Sequence, residues 1–307
     1  MSETTVAAAE PAIRRRGFWR GVGHRVVRQP VTLGAATVLV AILGAGEAAS
    51  VLAPSGWNAI DLSDTARNHG PTFAGHLLGT DQVGRDTLHR VLWGVHFSEQ
   101  TAVVGGAGAT VLAIVAGLTA GWFAGWFDVV VMRIVDLVSG FPVLVILIVM
   151  FSLLRPVTVW ETTAVFALAM WPFAARVFRA RAASLRQEEF VQAAQALGAS
   201  SGRIVFRHLL PNAAGAIVIS LTSLVGQIVL IEATAEFFGF GVLSSTRPTL
   251  GNLLGEATQS GLGPYNFLGL GWWTWTVPAV VLILLLASVN LVGDGLDAAL
   301  NPRAVRA

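Results

Sequence analysis

Cysteine and lysine are both absent from this sequence of 307 residues. Without cysteine, the chain has no disulfide framework, no thiolate nucleophile and no cysteine-ligated metal. Without lysine it has no P-loop, because that motif needs its lysine to reach the phosphates of a nucleotide. All 20 basic residues are arginines, and the net charge is only +2. The isoelectric point of about 10.3 therefore reflects arginine without lysine and does not indicate a nucleic-acid partner.

Charge of either sign is also scarce. Only 12% of the residues are charged and 54% are hydrophobic, whereas a soluble domain carries about 25% charged residues. The mean hydropathy is +0.67. These values exclude an ordinary soluble globule, and they exclude disorder, which needs low hydrophobicity and high charge. The composition predicts an integral membrane protein with one transmembrane domain in contact with lipid.

Six stretches of the sequence approach the length that a membrane span needs, which is about 20 mostly apolar residues. They run over residues 31–53, 101–123, 129–154, 162–178, 213–231 and 272–292. Because lipid offers no partner to backbone polar groups, we expect each stretch to be a helix. The first stretch exceeds the roughly 7–15 apolar residues of a signal peptide, so we expect the protein to retain it. The prediction is an all-α membrane protein with six transmembrane helices.

The distribution of arginine predicts the orientation of these spans. Arginines are concentrated in residues 1–30, 176–207 and 303–306, which lie on one side of a chain with six spans. The positive-inside rule places that side, with both termini, in the cytoplasm. The predicted organisation is a cytoplasmic tail (1–30), the first helix (31–53), an external segment (54–98), a core (99–296, with a cytoplasmic loop at 179–211 and an external segment at 235–271) and a cytoplasmic tail (297–307).

The cytoplasmic loop contains signals for two short helices. Ser184 and Gln187 have the spacing of a capping box and predict a helix start. Gly198 is a typical residue for the helix end. Ser200 predicts the cap of a second helix that reaches Pro211.

The first of these helices has an apolar face, formed at helical spacing by Phe190, Val191, Ala194 and Leu197. Two interpretations are open. A helix that lies on lipid usually carries basic residues opposite large apolar ones. The centre of this helix, residues 192–196, consists instead of glutamine and alanine, and such small residues permit close approach of another protein backbone.

The same loop resembles the EAA motif of ABC importer permeases, E-A-A-x3-G-x9-I-x-L-P. The matching residues are Gln192, Ala193, Ala194, Gly198, Leu210 and Pro211, and the spacing agrees throughout. Gln192 stands where glutamate is usual, and His208 stands where isoleucine is usual. The phrase R-H-L-L-P-N is similar to the form found in dipeptide and oligopeptide permeases.

Three further stretches resemble the dipeptide/oligopeptide/nickel branch of these permeases. Residues 78–86 read L-G-T-D-Q-V-G-R-D, and residues 237–241 read F-F-G-F-G. Residues 290–303 are similar to the C-terminal N-L-L-G-D-x-L-R-D-x-L-D-P-R signature. In this last stretch Asp297, Ala298 and Asn301 depart from the usual residues.

The resemblance implies a type I ABC importer permease in the plasma membrane of a bacterium. It implies that two such chains, usually non-identical, pair across a central pathway that works by alternating access. Two ATPase subunits would dock on the cytoplasmic loops and hold ATP and Mg, and an external binding protein would deliver the substrate. The chain itself would be no enzyme and would need no cofactor. The implied cargo is a dipeptide or oligopeptide, and the alternative within the branch is nickel or another small solute.

The resemblance also assigns a site, the coupling helix that fits a cleft on the ATPase. Arg203 and Arg207 would pair with acidic residues there, or they would serve only the positive-inside topology. The implied docking residues are Gln192, Ala193, Ala194, Leu197, Gly198, Arg203, Arg207, His208 and Pro211.

Four charged residues lie within or close to the predicted spans: Glu47, Arg133, Asp136 and Glu232. Charges in lipid are costly and usually face a cavity or a partner. Two interpretations are open: these residues line the transport pathway, or they form interhelical pairs and snorkelling ends. Arg133 and Asp136 are three residues apart, which predicts a pair on one helix face.

Two other function classes predict sequence features that differ from those of an importer permease. An autonomous secondary transporter predicts inverted repeats and broken helices at the membrane midplane, and the sequence displays neither. A membrane enzyme predicts a Ser/His/Asp constellation or an H-E-x-x-H motif, and neither occurs. None of the six histidines has another at a spacing of three or four residues, so we predict no metal site in this chain.

Overall fold

The computed structural model describes residues 15–53, 56–61, 69–71, 75–154, 158–241, 247–259 and 271–300. Within these ranges the chain consists of helices, turns and two isolated β-bridges, which join Ile60 to Arg85 and Thr80 to Asp86. The all-α class predicted from the sequence is therefore confirmed for the described part of the chain.

The helices are α1 (Arg15–Val27), α2 (Pro30–Leu52), α3 (Thr87–Phe123), α4 (Gly125–Ser139), α5 (Val143–Leu153), α6 (Val159–Arg186), α7 (Glu189–Ala196), α8 (Ser201–Ile204), α9 (Leu210–Asn212), α10 (Ala214–Phe237), α11 (Leu250–Gln259) and α12 (Trp272–Leu300). A 3-10 turn at Gly56–Asn58 follows α2, and a π-turn at Val205–Leu209 joins α8 to α9. Neither α1 nor α11 was predicted. They lie in the predicted N-terminal tail and in the predicted external segment 235–271.

Within the described residues, four helices are long and apolar enough to cross a membrane, namely α2, α3, α10 and α12. A fifth span results if α4 and α5 are taken together. The predicted span 162–178 lies within α6, which is 28 residues long but more polar than these helices. Length and apolarity therefore support four or five spans, against the six predicted.

The predicted single helix 129–154 is wrong in detail, because the chain bends by 81° between α4 and α5. The break falls at residues 140–142, and Pro142 is the N-cap of α5. Proline has no backbone N–H and its ring clashes with the preceding turn, so a continuous helix is disfavoured there. The two halves remain separate helices of 15 and 11 residues.

The centre of the fold is the parallel pair of α3 and α6, which make the most extensive helix contact. Small residues recur every four positions along α3, at Gly105, Ala109, Ala113, Gly117 and Gly121. A Cβ atom at Gly117 would lie 2.4 Å from the carbonyl oxygen of Ala175, and one at Gly121 would lie 2.4 Å from that of Arg179. The two backbones therefore touch where α3 has no side chain, as in membrane helix pairs with small residues at the interface.

The helix ends form two groups at opposite ends of the bundle. At one end, Arg25 donates from Nη1 to the carbonyl oxygen of Ala299 at 3.0 Å, and Leu300 is the side chain nearest to Gly215. The N-terminal helix, the end of α12 and the start of α10 therefore lie together, with α7, α8 and α9 beside them. We call this the loop end. The far end holds the starts of α3, α6 and α12, the end of α10, and α11.

Candidate functional site

The segment between α6 and α10 starts later than predicted. Ser184 lies in the last turn of α6, and Gln187 is the C-cap of that helix. The predicted capping box at these two residues is therefore wrong. The physical reason is packing: Ala182 and Leu185 are buried in the core, so their contacts extend α6 through the capping signal. Helix α7 begins one turn later, with Glu188 as its N-cap.

The end of α7 is as predicted. Gly198 has φ +78°, the left-handed conformation that glycine adopts at low cost. Its N–H donates to the carbonyl oxygen of Gln195 at 2.9 Å, and the N–H of Ala199 donates to that of Ala194 at 3.0 Å. This pair of hydrogen bonds is a Schellman motif. The predicted cap at Ser200 is also confirmed, because its Oγ accepts from the N–H of Arg203 at 3.4 Å.

Gly198→Ala is expected to lower the free energy of unfolding by about 1 kcal/mol, because the left-handed conformation costs a residue with a Cβ roughly that much. A Cβ at this position meets no atom within 4 Å, so the effect is one of backbone conformation alone. Thermal denaturation of the purified full chain measures it. Gly198→Asn is the matched control and should lose less, because asparagine tolerates this conformation. Equal melting of the alanine variant and the unaltered chain would contradict this reason for glycine.

The second half of the segment contains the wider turn of a π-helix. The N–H of Leu210 donates to the carbonyl oxygen of Val205, five residues earlier. Pro211 follows directly, and its missing N–H would leave an ordinary helix one hydrogen bond short. Helix α8, the π-turn and α9 follow one another from Ser201 to Asn212, where the sequence predicts a second helix that reaches Pro211. Single π-turns of this kind are frequent at functional sites.

Four buried side chains hold this segment, residues 187–212, against the bundle: Val191, Ile204, Val205 and Leu209. We call it the EAA-like segment. Two large apolar side chains on it are turned away from the bundle, since Leu197 is 89% and Phe206 72% exposed. The prediction that Leu197 shares one apolar face with Val191 is wrong, because Leu197 is the C-cap of α7, where the chain leaves the helix.

The remaining residues of the predicted docking site lie on the same segment. Gln192, Ala193, Gly198, Arg203 and Arg207 are exposed. Ala194, His208 and Pro211 are half-buried, and the ring of His208 lies 6.2 Å from that of Phe190. The segment therefore presents apolar, small and basic groups together at the loop end. An exposed apolar surface with a polar rim is typical of a protein interface.

The charged residues predicted near the spans lie at separate places. The Oε1 atom of Glu47 on α2 is 2.7 Å from Nδ1 of His96 on α3. Asp136 accepts from Nη2 of Arg176 at 3.0 Å. Its predicted pair with Arg133 is therefore wrong, because α6 brings a guanidinium closer than the same helix does.

Glu232 is the one of these four charged residues that is buried, with 1% of its surface exposed. It lies on α10 close to the hydroxyls of Ser98 and Thr101 on α3. Glu236, one turn later, is also buried and accepts a hydrogen bond from the hydroxyl of Thr249. Both carboxylates therefore lie against neighbouring parts of the chain. Neither is exposed to a wide pathway lined by the described residues.

A second charged site, which sequence reasoning missed, lies at the far end. Oδ2 of Asp81 accepts from Nε of Arg85 at 2.7 Å and from Nη1 of Arg90 at 2.9 Å. Nη1 of Arg90 also donates to Oε2 of Glu256 at 2.7 Å, and Nη2 of Arg85 donates to the same oxygen at 3.3 Å. These four residues, the charge cluster, connect α11 to the start of α3. The motif at 78–86 supported the resemblance above without indicating this role.

The rest of that motif fixes the backbone around the charge cluster. Asp86 caps α3 by accepting from the N–H of His89 at 2.9 Å. Thr80 accepts at its carbonyl oxygen from Nε1 of Trp273, at 3.0 Å. Gly79 has φ +74°, and a Cβ there would lie 2.6 Å from that indole nitrogen. Trp273 is therefore buried against the motif, and so it does not have the exposed position of an interfacial tryptophan.

The sequence profile described as "Binding-protein-dependent transport system inner membrane component" matches residues 113–306, more than half of the chain. The chain belongs to this family. The matched range includes the EAA-like segment and Glu256 of the charge cluster. It begins after the part of the cluster that lies at 81–90.

Relatives extend the similarity towards the N-terminus. The chain is 35% identical over 247 residues to a protein of Brucella suis biovar 1 (strain 1330) that is named as a peptide permease. The match covers 80% of this chain and 78% of that protein. It is 32% identical over 237 residues to the dipeptide transport system permease protein DppC of Alkalihalophilus pseudofirmus, covering 77% of this chain and 75% of that protein.

Solved structures support the fold. A chain of the MetNI methionine ABC transporter, from a structure of its inward-facing conformations, superposes with a TM-score of 0.55 at 19% identity. The superposition covers 69% of this chain and 96% of the other. A second crystal form of the same transporter gives a TM-score of 0.52 at 20% identity. The helical core of this chain therefore has the arrangement found in an ABC transporter.

Proposed function

We propose that this chain is the permease subunit of an ABC importer that moves peptides into the cytoplasm, with the EAA-like segment as the surface that receives the ATPase. The observation that carries the proposal is the exposure of Leu197 and Phe206 on a segment that buried side chains fix to the bundle. Exposed apolar groups on a rigid support are suited to bind a protein and to transmit its movement.

The docking surface on this proposal comprises Gln192, Ala193, Ala194, Leu197, Gly198, His208 and Pro211. Leu197 and the small residues before it enter a cleft on the ATPase, and Arg203 and Arg207 meet acidic residues at its edge. Both arginines are exposed and lie four residues apart, so they share one side of a helical segment. Energy then comes from ATP and Mg on the partner subunits, in keeping with a sequence that has no P-loop.

The proposed topology has six spans. It counts α6 as a span and counts the bent pair of α4 and α5 as one more. Interhelical partners support α6 in this role, because its arginines near the loop end are paired: Arg176 with Asp136, and Arg179 with Asp128. The loop end faces the cytoplasm on this proposal. The grouping of α1, the end of α12 and the EAA-like segment at one end supports it through the positive-inside rule.

The proposed assembly contains a second permease chain, two ATPase subunits and an external substrate-binding protein, in the plasma membrane of a bacterium. Peptide is the cargo that the names of the relatives support, since one is a dipeptide transport permease. Access alternates between the two sides of the membrane as the ATPases bind and hydrolyse ATP.

Purification of the chain from its native membrane in mild detergent tests this proposal, with mass spectrometry to identify the proteins that accompany it. We expect two ATPase subunits, a second permease and a binding protein. The assembly reconstituted in vesicles should take up a labelled dipeptide only with ATP and the binding protein. A chain that purifies alone and transports without ATP would overturn the proposal in favour of a secondary transporter. Uptake of nickel but not of peptide would change the cargo alone.

A further inference from the structure

Polar side chains are exposed at the middle of α10, one of the helices that are apolar enough to cross a membrane. Three residues of this fully described helix are exposed, namely Ser223, Gln227 and Leu230. Ser223 and Gln227 are four positions apart and therefore share one face. Gln227 lies about 2 Å along the axis from the middle of the helix, at a rise of 1.5 Å per residue. Because lipid offers no partner to an amide, exposure of Gln227 to hydrocarbon would be costly.

Helix α12 extends this polar surface. A Cβ atom at Gly226 would lie 3.1 Å from Oδ1 of Asn290, so Asn290 lies at the same depth as Gln227 and next to it. Asn290 is exposed, and so is Asp294, one turn closer to the loop end. The amides of Gln227 and Asn290 make no hydrogen bond within the described part of the chain. We call Ser223, Gln227, Asn290 and Asp294 the polar face.

Helix α3 has a different exposed surface, although it is also long and apolar enough to cross a membrane. Between residues 101 and 123 its exposed side chains are all apolar, namely Val103, Val104, Ala107, Val111, Leu112, Val115 and Phe123. A surface of this kind is suited to lipid, which cannot satisfy polar groups. The contrast with α10 indicates that the polar face meets something other than lipid.

The polar face is turned away from α3 and therefore from the centre of the fold. A Cβ atom at Gly106 on α3 would lie 3.1 Å from Cγ2 of Val225, which places Val225 in the contact between α3 and α10. Val225 is two positions from both Ser223 and Gln227, which corresponds to about 200° around a helix. The polar face is thus an outer surface of this chain and is free to meet water or a partner.

Asp294 connects the polar face to the loop end. This carboxylate lies six residues before the end of α12 at Leu300, and charges within a span usually face a cavity or a partner. The loop end faces the cytoplasm in the proposed topology, so the face runs from the middle of the membrane towards cytoplasmic water. A close contact with a second chain explains the face less well, because membrane helices pack closely through small residues.

We propose that the polar face lines the transport pathway and that Gln227 and Asn290 form hydrogen bonds with the backbone of a peptide in transit. An amide side chain offers both donors and an acceptor, as the peptide group does. Such contacts accept peptides of different sequence, because they do not involve the side chains of the cargo. The identity of the cargo as a peptide rests on the proposed function above.

The absence of cysteine from the chain permits a direct test with single introduced cysteines. Gln227→Cys and Val111→Cys are compared in the assembled transporter in nanodiscs, by the rate at which a charged maleimide labels this chain. Val111 is the matched control, because it lies at the middle of the apolar surface of α3 and is 59% exposed. Labelling is measured with and without ATP, since alternating access opens a pathway to one side at a time.

We expect Gln227→Cys to react about tenfold faster than Val111→Cys, or more, in at least one of these two conditions, because the reactive thiolate forms in water. Ser223→Cys exchanges a single atom, which protects the fold, and should react like Gln227→Cys. Equally slow labelling of all three variants in both conditions would overturn the proposal. The polar face would then be covered by the second permease chain or by lipid.

Gln227→Met tests the contact with the peptide, because it removes both hydrogen-bonding groups and keeps the length of the side chain. Uptake of a labelled dipeptide below saturation should fall about tenfold, in line with the loss of one to two hydrogen bonds. ATP hydrolysis stimulated by the loaded binding protein should persist, because the EAA-like segment is unchanged. Val111→Met is the control and should retain uptake. Unchanged uptake by Gln227→Met, or loss of both uptake and stimulated hydrolysis, would overturn the contact.

The failure of this inference and that of the proposed function are distinguishable, because thiol labelling needs no cargo. If the unaltered transporter takes up dipeptide and the cysteines at 223 and 227 do not react, only the pathway assignment is wrong. If these cysteines react but the unaltered transporter takes up another solute instead of dipeptide, the pathway assignment stands and the contact with a peptide is wrong.

Discussion

Gly121→Ala is expected to destabilise the fold strongly, although the change adds only one methyl group. The new Cβ would lie 2.4 Å from the carbonyl oxygen of Arg179 and 2.7 Å from the Cβ of Ala182. The backbone of α6 cannot move aside as a flexible side chain would, so α3 and α6 must separate. We expect a loss of about 3 kcal/mol, the upper end of the range for overpacked cores, against a total stability of about 5–15 kcal/mol.

The yield of monodisperse protein in detergent and its melting temperature measure this effect. Gly44→Ala on α2 is the matched control, because a Cβ there meets no atom within 4 Å. That variant should fold at least as well as the unaltered chain, since alanine is a better helix former than glycine. Gly117→Ala should repeat the loss, with its Cβ 2.4 Å from the carbonyl oxygen of Ala175. Normal yield of both α3 variants would show that the helix contact adapts more readily than the geometry indicates.

The bounds of the helices show what a hydropathy pattern can predict and what it misses. The span predicted at 31–53 agrees closely with α2 (Pro30–Leu52). By contrast α3 begins at Thr87, fourteen residues before the predicted start of its span at 101. The additional turns carry Arg90, whose charge is satisfied by Asp81 and Glu256. A hydropathy pattern counts such a residue as the end of a span, because it does not register the partners that permit its burial, and Glu256 is distant in sequence.

The two sites differ in the same way: features of the EAA-like segment were predictable from the sequence, and the charge cluster was not. The turn at Gly198 depends on hydrogen bonds between residues five apart or fewer, so its glycine and the cap at Ser200 were predictable. The charge cluster joins Asp81 to Glu256 across 175 positions, and only the packing of α11 on α3 brings them together. The start of α7 was mispredicted for a related reason, since burial of Leu185 extends α6 beyond Ser184.

Leu197→Arg is expected to abolish coupling to the ATPase while leaving the chain folded. With 89% of its surface exposed, Leu197 contributes little to the stability of the isolated chain, and an exposed substitution changes stability by about 0.5 kcal/mol or less. On the proposed function the same side chain enters a cleft on the ATPase, where an unpaired charge would be buried. The loss of a central interface residue costs about 2 kcal/mol or more, which corresponds to about a thirtyfold loss of affinity.

The measurements are co-purification of the ATPase and the ATP hydrolysis that the loaded binding protein stimulates, both in the reconstituted assembly. Leu197→Met is the matched control and should retain both, because it preserves an apolar side chain of similar volume. Unchanged melting of the isolated Leu197→Arg chain would assign any loss to docking rather than to folding. Normal stimulated hydrolysis by the arginine variant would contradict the docking role of this surface. The exposure of Leu197 would then require a different partner, and the lipid surface is the one that the helix pattern left open.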